Sequence, residues 1–196
     1  MNSIASWVQA SRLASESYMF FPLLVGQGWH YRTTGRLDPA LLALAHLYGL
    51  FIQLYIVYAN DYADQETDRV NTTFNMFSGG SRVLVEGRMT KAALKAGIIA
   101  TVLLLSLTGV LLTAAARPLS LFFIAVSLGL LWLYSYAPAR VSYRGGGEFL
   151  QMLGVGAVLP IFGYYVQAGA LGGFPWRFLL FILPLQLACA MATALP

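Results

Sequence analysis

The stretch PALLALAHLYGLFIQLYIVYANDYADQETD (residues 39–68) decides the fold, because an uncharged run from Pro39 to Asn60 leads directly into a dense group of acids. An uncharged run of roughly 20 residues is the length that a helix needs to cross a bilayer. The nine residues from Asn60 to Asp68 then hold four of the eight acidic side chains in the chain. The stretch therefore predicts a membrane-spanning helix with a carboxylate cluster at one end.

The composition of the whole chain indicates that its solvent is largely lipid. Of the 196 residues, 58% are hydrophobic and 10% are charged, whereas about 25% are charged in a typical soluble domain. Backbone polar groups in lipid must be satisfied within helices or closed barrels, and alternating barrel patterns are absent. We expect one all-α polytopic transmembrane domain over residues 1–196, with about six helices. The uncharged stretches are Ser17 to Tyr31, Pro39 to Asn60, Ala96 to Ala116, Pro118 to Ala139, Phe149 to Trp176 and Phe178 to Pro196.

The basic residues predict an orientation in the membrane. Eight of the twelve fall on the side of the amino terminus, and four fall opposite, so the positive-inside rule puts the amino terminus and the acidic run in the cytoplasm. We expect a multi-pass protein of the plasma membrane that contacts membrane lipid, and no nucleic-acid partner despite the net charge of +4. The eight are Arg12, Arg69, Arg82, Arg88, Lys91, Lys95, Arg140 and Arg144.

The acidic run suggests a metal site. If the helix from Pro39 continues, Asn60, Asp64 and Asp68 fall on one stripe with Asp61 beside them. Like charges so placed repel, and a ligand set made only of oxygen favours magnesium. The alternative is a solvated helix end whose acids balance nearby arginines. A calcium-binding EF-hand loop is excluded, because Arg69 stands where the glycine of the sharp turn belongs.

Two glycine-rich basic segments could bind an anion beside these acids. In Ser78-Gly79-Gly80-Ser81-Arg82, backbone N–H groups and one guanidinium form a candidate phosphate cradle, with a flexible turn as the alternative. The segment from Tyr134 to Glu148 repeats this chemistry, with a tyrosine and arginine belt at the membrane interface as its alternative. A diphosphate bridged by magnesium would explain why cradle and acids occur together.

Aromatic residues recur near helical spacing in the same uncharged run, at Tyr48, Phe51, Tyr55 and Tyr58. Packing in the core or against lipid is the favoured explanation. The other is a tunnel whose ring faces stabilise a carbocation. We assign no role to His30 or His46.

Three motifs in order resemble the UbiA superfamily of intramembrane prenyltransferases. They are Asn-Asp-x-x-Asp-x-x-x-Asp at Asn60 to Asp68, the Gly-Gly-Ser-Arg loop leading into Val83 to Gly87, and Tyr-Ser-Tyr-Ala-Pro followed by Tyr143 to Glu148. The resemblance spans roughly Pro22 to Gln167. Ser-Gly-Gly-Ser-Arg, in place of an Arg-Pro-x-x-x-Gly run, is most like the 1,4-dihydroxy-2-naphthoate polyprenyltransferase branch of menaquinone biosynthesis.

The resemblance implies magnesium-dependent transfer of a prenyl group from a polyprenyl diphosphate to an aromatic acceptor. By this analogy the catalytic residues are Asp61, Asp64 and Asp68, and the metal ligands are these three together with Asn60. The analogy extends to four residues as binders of the diphosphate, namely Arg82, Arg140, Tyr143 and Arg144.

The carboxyl end departs from the family pattern. Family members have about nine helices and a second Asp-rich motif after the sixth, about where this sequence stops at Pro196. We therefore expect a C-terminally incomplete domain that by itself binds diphosphate weakly and turns over poorly.

Other functions remain open on the sequence. A CDP-alcohol phosphotransferase also carries aspartates on helices, but it expects Asp-Gly and Ala-Arg pairs that this acidic run lacks. A cation transporter would favour acids near the middle of the bilayer and broken helices. The acids here cluster at one face instead, although Gly154, Gly156, Pro160 and Gly163 interrupt the fifth uncharged stretch. A non-catalytic membrane scaffold is the other alternative.

Overall fold

The computed structural model describes residues 3–72, 80–172 and 174–194, and within them the chain is helical with no strand. This confirms the predicted all-α fold. Short 3₁₀ turns occupy Leu13–Glu16 and Val141–Arg144, and a π-helical turn occupies Gly154–Val158. The α-helices are α1 (Ile4–Ser11), α2 (Ser17–Thr34), α3 (Pro39–Ala63), α4 (Gln65–Val70), α5 (Lys91–Ala114), α6 (Ser120–Ser135), α7 (Gly147–Leu153), α8 (Leu159–Ala168), α9 (Trp176–Phe181) and α10 (Leu183–Ala194).

Three helical segments of the described chain are long and apolar enough to cross a membrane. They are Pro39–Ala63, Lys91–Ala114 and the composite segment Gly147–Ala168, while Ser120–Ser135 and Trp176–Met191 are apolar but shorter. The six uncharged stretches are therefore all helical in large part, but they do not form six full-length spans. The last of them is divided into α9 and α10, which meet at Ile182.

Helix α3 begins where the sequence predicts and ends within the acidic run, at Ala63. The Asp38 carboxylate caps it by accepting from the backbone N–H groups of Ala40 and Leu41, which have no partner within the helix. At Asp64 the backbone leaves the helical region, with ψ near 7°, and α4 follows. The condition of one continuous helix through Asp68 is therefore not met. Backbone hydrogen bonds from Asp64 to Asn60 and from Asp68 to Asp64, both 2.8 Å, nevertheless keep the four-residue spacing.

Helices α2 and α8 touch backbone to backbone at two glycines. A Cβ on Gly26 would lie 1.9 Å from the carbonyl oxygen of Pro160, and one on Gly163 would lie 2.4 Å from that of Leu23. Small residues permit this approach in membrane helices, where van der Waals packing drives association. The contact fixes α2 against the second half of the α7–α8 segment.

The segment predicted as one helix from Phe149 to Trp176 is interrupted by the π-helical turn and ends at Ala168. Within the turn, Gly156 lies so close to α10 that a Cβ would stand 2.7 Å from the Cα of Gln186. π-helical turns are frequent at functional sites, because they redirect side chains within a helix. Here the turn presents Gly154 and Val155 to a cavity between helices.

The main hydrophobic core lies between α2, α3, α5, α6 and α8. Tyr48 is fully buried there, with its ring centroid 4.1 Å from that of Phe162, and its hydroxyl lies 2.5 Å from Ser127 Oγ. A smaller cluster packs α1 against α3 and the 83–94 region. Together these clusters bring the carboxyl ends of α3 and α6 to the same end of the bundle as α1.

Candidate functional site

Asp61 is the most deeply buried acid of the site. It lies in the last turn of α3 with only 3% of its side chain exposed. The Arg12 guanidinium forms an ion pair with Oδ1, the Ser81 hydroxyl donates to Oδ2, and the Ser81 backbone N–H donates to Oδ1 at 3.2 Å. A buried carboxylate is tolerated only when it is paired and hydrogen-bonded in this way. Asp61 therefore ties Arg12, which follows α1, and Ser81 of the loop before α5 to the end of α3.

Asp64 stands at the break between α3 and α4, within reach of one group from the preceding turn and one that is distant in sequence. The Asn60 side-chain amide donates to one carboxylate oxygen, and the Tyr143 hydroxyl donates to the other. Burial raises the pKa of Asp64, and the negative charge of Asp61 raises it further, while the bond from Tyr143 opposes the change. The carboxylate lacks enough positive charge nearby to offset its partial burial.

Asp68 completes the group of carboxylates. Burial raises its pKa to about 6, and repulsion by Asp61 and Asp64 adds to the effect, partly opposed by Arg12 and Arg82. Gly80 packs directly on this side chain, since a Cβ there would lie 2.3 Å from Asp68 Oδ2. A Cβ on Gly80 would also lie 3.2 Å from Arg12 Nη2, the atom that pairs with Asp61, so Asp68 and Asp61 lie close to the same guanidinium.

Arg82 reaches the same neighbourhood from the loop. Its Nη1 donates to the backbone carbonyl of Asp68 at 2.9 Å and to that of Asn71 at 3.4 Å. The guanidinium thus lies beside the carboxyl end of α4. The rest of the predicted phosphate cradle, Ser78 and Gly79, lies outside the described residues.

The second basic segment meets the acids through Tyr143, which lies in the 3₁₀ turn Val141–Arg144. The Arg140 guanidinium lies 5.5 Å from the centroid of the Tyr143 ring, and so reaches the cluster through that ring. Arg144 is exposed and donates to the Pro138 carbonyl at 3.1 Å within its own loop. Of the four residues expected to bind diphosphate, Arg82 and Tyr143 lie at the acids, Arg140 lies beside them, and Arg144 faces its loop.

A largely apolar cavity of about 150 Å³ adjoins the acids. It is shared by α2, α3, α6, α7 and the π-helical turn, and Asn60 lines it as well as bonding Asp64. Its other polar residues are Ser127, Tyr134 and Gln151, and its apolar residues are Met19, Ile52, Ile56, Leu130, Leu131, Leu150, Gly154, Val155 and Leu159. Asn60 is therefore the point at which the polar site and the apolar cavity meet.

The aromatic residues of α3 do not line this cavity. Tyr48 packs in the core, Tyr58 packs edge-to-face on Trp7, and Phe51 and Tyr55 are partly buried against the core. These contacts favour the packing explanation for the four aromatic residues, and none of them forms an aromatic wall of this cavity. The α3 stripe that faces the cavity is Ile52, Ile56 and Asn60.

Comparison with protein families decides the affiliation that these features suggest. The sequence model of the UbiA prenyltransferase family matches residues 19–196, nearly the whole chain. The chain belongs to the UbiA prenyltransferase family. No curated protein and no solved structure gives a match to it. The family and the apolar helices together make it a membrane protein, and UbiA proteins in general act on prenyl diphosphates and aromatic acceptors within membranes.

UbiA prenyltransferases generally use Mg²⁺, and the acids of this chain fit such an ion by chemistry. Carboxylate and amide oxygens on Asn60, Asp61, Asp64 and Asp68 form a hard, oxygen-only donor set. Burial, and then repulsion between the acids, raises the pKa of Asp64 and of Asp68, so a cation at the cluster would stabilise their charged forms. Among the described residues, however, no three acidic, histidine or cysteine side chains converge closely enough to form a metal site. The donors are present, but Arg12, Ser81 and Tyr143 engage them.

Sequence inspection of this UbiA chain missed the role of Arg12. It was counted only as an orientation signal, because 49 positions separate it from Asp61 and no local motif surrounds it. Tyr136, from the Tyr-Ser-Tyr-Ala-Pro motif, was also left without a role. Burial and nearby acidic groups raise its pKa to about 12, so its neutral hydroxyl donates to the Ala59 carbonyl at 2.9 Å and joins the end of α6 to that of α3.

Proposed function

We propose that this UbiA protein transfers a polyprenyl group, with Mg²⁺, from a prenyl diphosphate to an aromatic acceptor. Asp61, Asp64 and Asp68 would serve as the catalytic carboxylates, and together with Asn60 they would hold the metal. Arg82, Arg140 and Tyr143 would bind the diphosphate, with Arg144 as a further donor if its loop turns inward.

The observation that carries this proposal is the position of Asn60. Its side chain lines the apolar cavity and also donates to Asp64. A hydrocarbon tail bound in the cavity would therefore have its polar end at the carboxylates. A prenyl diphosphate has this division, with a hydrocarbon tail attached to a polyanionic head. The arginines Arg12 and Arg82 lie on the polar side of the junction, whereas the cavity lining carries no charged residue.

The chemistry follows from the charge that develops as the bond between the allylic carbon and the diphosphate oxygen breaks. Magnesium supplies positive charge that lowers the energy of the leaving diphosphate. Arg82 and the other donors of the site would add preorganised hydrogen bonds to the same oxygens. The allylic cation is captured by an electron-rich ring carbon, which forms the new carbon–carbon bond. That carbon then loses a proton, or CO₂ where it carries a carboxylate, and the bonding electrons left in the ring restore aromaticity. Excluding water from the cavity protects the cation from hydrolysis.

We propose dihydroxynaphthoate as the acceptor, in menaquinone biosynthesis, on the strength of the Ser-Gly-Gly-Ser-Arg loop. We also propose a plasma-membrane location, and the distribution of basic residues supports an orientation with the acidic run in the cytoplasm. The amino terminus joins that side because Arg12 pairs with Asp61.

Binding of a non-hydrolysable prenyl thiodiphosphate to the purified protein, with and without Mg²⁺, tests the proposal. We expect the analogue to raise the thermal unfolding midpoint only when Mg²⁺ is present, and we expect Asp64→Asn to abolish the rise. Glu66→Gln is the matched control, because Glu66 lies two residues away with 78% of its side chain exposed. Glu66→Gln should leave the rise in the thermal unfolding midpoint unchanged.

Transfer is then followed as prenylated product from dihydroxynaphthoate. Binding that ignores both Mg²⁺ and Asp64→Asn would contradict the proposal, and cation flux through the protein in liposomes would favour a transporter. Product from another aromatic acceptor, without product from dihydroxynaphthoate, would overturn the menaquinone assignment alone.

A further inference from the structure

Arg12 enters the carboxylate cluster from outside the motifs that define the site. It follows α1 directly, and its Nη2 forms an ion pair with Asp61 Oδ1. The same nitrogen would lie 3.2 Å from a Cβ on Gly80, the glycine that packs against Asp68. One guanidinium therefore pairs with Asp61 and also lies beside the glycine that packs on Asp68.

The position of Arg12 is built into the fold. Helix α1 is held to α3 by the hydroxyl contact between Ser11 and Tyr58, at 2.8 Å, and by the edge-to-face packing of Trp7 on the Tyr58 ring. Gln9 ties the same helix to the loop by donating to the Ser81 carbonyl at 2.8 Å. Because α1 is anchored on two sides, the position of Arg12, which follows it directly, is fixed.

The backbone of Arg12 is in the left-handed region, with φ of 43°. Non-glycine residues rarely adopt this region, and they keep it where the surrounding structure requires it. In the described chain the others are Arg82, Ala116 and Arg140. Three arginines around the acids thus share an uncommon backbone conformation, although they come from three separate segments.

The hydrogen bonding of Arg12 is incomplete in the present arrangement. Its Nε is buried and has no hydrogen-bond partner among the described residues. A guanidinium has five N–H donors in a planar fork that matches the oxygens of a phosphate. An anion beside Asp61 would supply the acceptors that Arg12 lacks.

We propose, building on the proposed function, that Arg12 is a positioning residue with two states. Without metal it occupies the place of the cation and holds Asp61; with metal bound it releases Asp61 and turns its guanidinium to the diphosphate. Arg12 and the metal therefore compete for Asp61, while Arg12 and the metal act together on the diphosphate. A merely structural arginine would not produce opposite effects on the two ligands.

Arg12→Gln separates these two effects when Mn²⁺ and inorganic pyrophosphate are used as probes. We expect Mn²⁺ alone to bind several-fold more tightly to the variant than to the wild type, because its competitor is gone. We expect pyrophosphate, at saturating Mn²⁺, to bind at least tenfold more weakly. Arg69→Gln is the control, since Arg69 has 62% of its side chain exposed and pairs only loosely with Glu66, at 3.7 Å. It should change neither affinity by more than twofold.

Weaker or unchanged Mn²⁺ binding to Arg12→Gln would overturn the competition, and unchanged pyrophosphate binding would overturn the role toward the anion. Wild-type protein that binds neither probe would refute the proposed function itself, and this inference with it.

Hydrogen exchange of the wild type provides a second measurement if the variant does not fold. Residues 3–16 should exchange faster on addition of Mn²⁺, as Arg12 leaves Asp61, and slower again when pyrophosphate follows. Exchange unaffected by both additions would overturn the proposal.

Discussion

Gly80→Ala should damage the candidate site far more than it damages the fold. Gly80 has φ of 74°, and a Cβ there would lie 2.3 Å from Asp68 Oδ2. Because non-bonded heavy atoms pack at roughly 3.5 Å, the carboxylate must retreat by about 1 Å. Functional constellations tolerate only about 0.5 Å of displacement, and displaced or unsupported ligands typically lower metal affinity by about 10- to 100-fold. We expect a loss of that size in Mn²⁺ affinity.

Gly87→Ala is a matched control for the backbone strain. Gly87 has φ of 66°, and a Cβ there meets nothing within 4 Å. Both variants should lose about 1–2 kcal/mol of folding free energy, because alanine is disfavoured in the left-handed region. Thermal unfolding without metal measures this common loss, and Mn²⁺ titration measures the difference. Equal Mn²⁺ affinities in the two variants would refute the placement of Gly80 against a metal ligand.

Three further outcomes follow from the structure. Gly26→Ala should lower the free energy of unfolding by about 1–3 kcal/mol or more, because the new methyl group would stand 1.9 Å from a backbone oxygen of α8. Gly28→Ala is the control, since a Cβ there meets nothing within 4 Å. Equal unfolding midpoints in the two variants would contradict the close helix contact. Without divalent metal, the free energy of unfolding should fall as the pH rises from the ordinary Asp pKa of 3.8 to about 6. The reason is that the folded protein holds the proton of Asp68 more tightly than the unfolded chain does. A pH profile that is unchanged in Asp68→Asn would argue against this origin. Ile56→Trp should fill the cavity and raise the KM for the prenyl diphosphate, while the affinity for pyrophosphate stays constant. Leu107→Trp is the control, because the Leu107 side chain is 54% exposed. Equal KM values in the two variants would exclude the cavity as the binding site of the prenyl tail.

The helical class and the position of the acidic run could be predicted from the sequence, because both depend on local composition. A long uncharged run predicts α3, and Asp38 followed by Pro39 marks its start through helix-capping chemistry. The glycines and proline of the fifth stretch indicate an interruption there, but its π-helical form at Gly154–Val158 could not be predicted. Nor could the division of the last apolar stretch into α9 and α10. Hydropathy measures how apolar a segment is, and it carries no information on where the segment bends against its neighbours.

The sequence by itself determined that the protein is a helical membrane protein, and that its oxygen ligands are concentrated between Asn60 and Asp68. These properties belong to neighbours along the chain, whose spacing and polarity are fixed by covalent order. Only the tertiary structure decided which distant groups meet those ligands. Arg12, Ser81 and Tyr143 reach the acids because the packing of α1, α3 and α6 brings remote segments to one end of the bundle, and no local pattern encodes that approach.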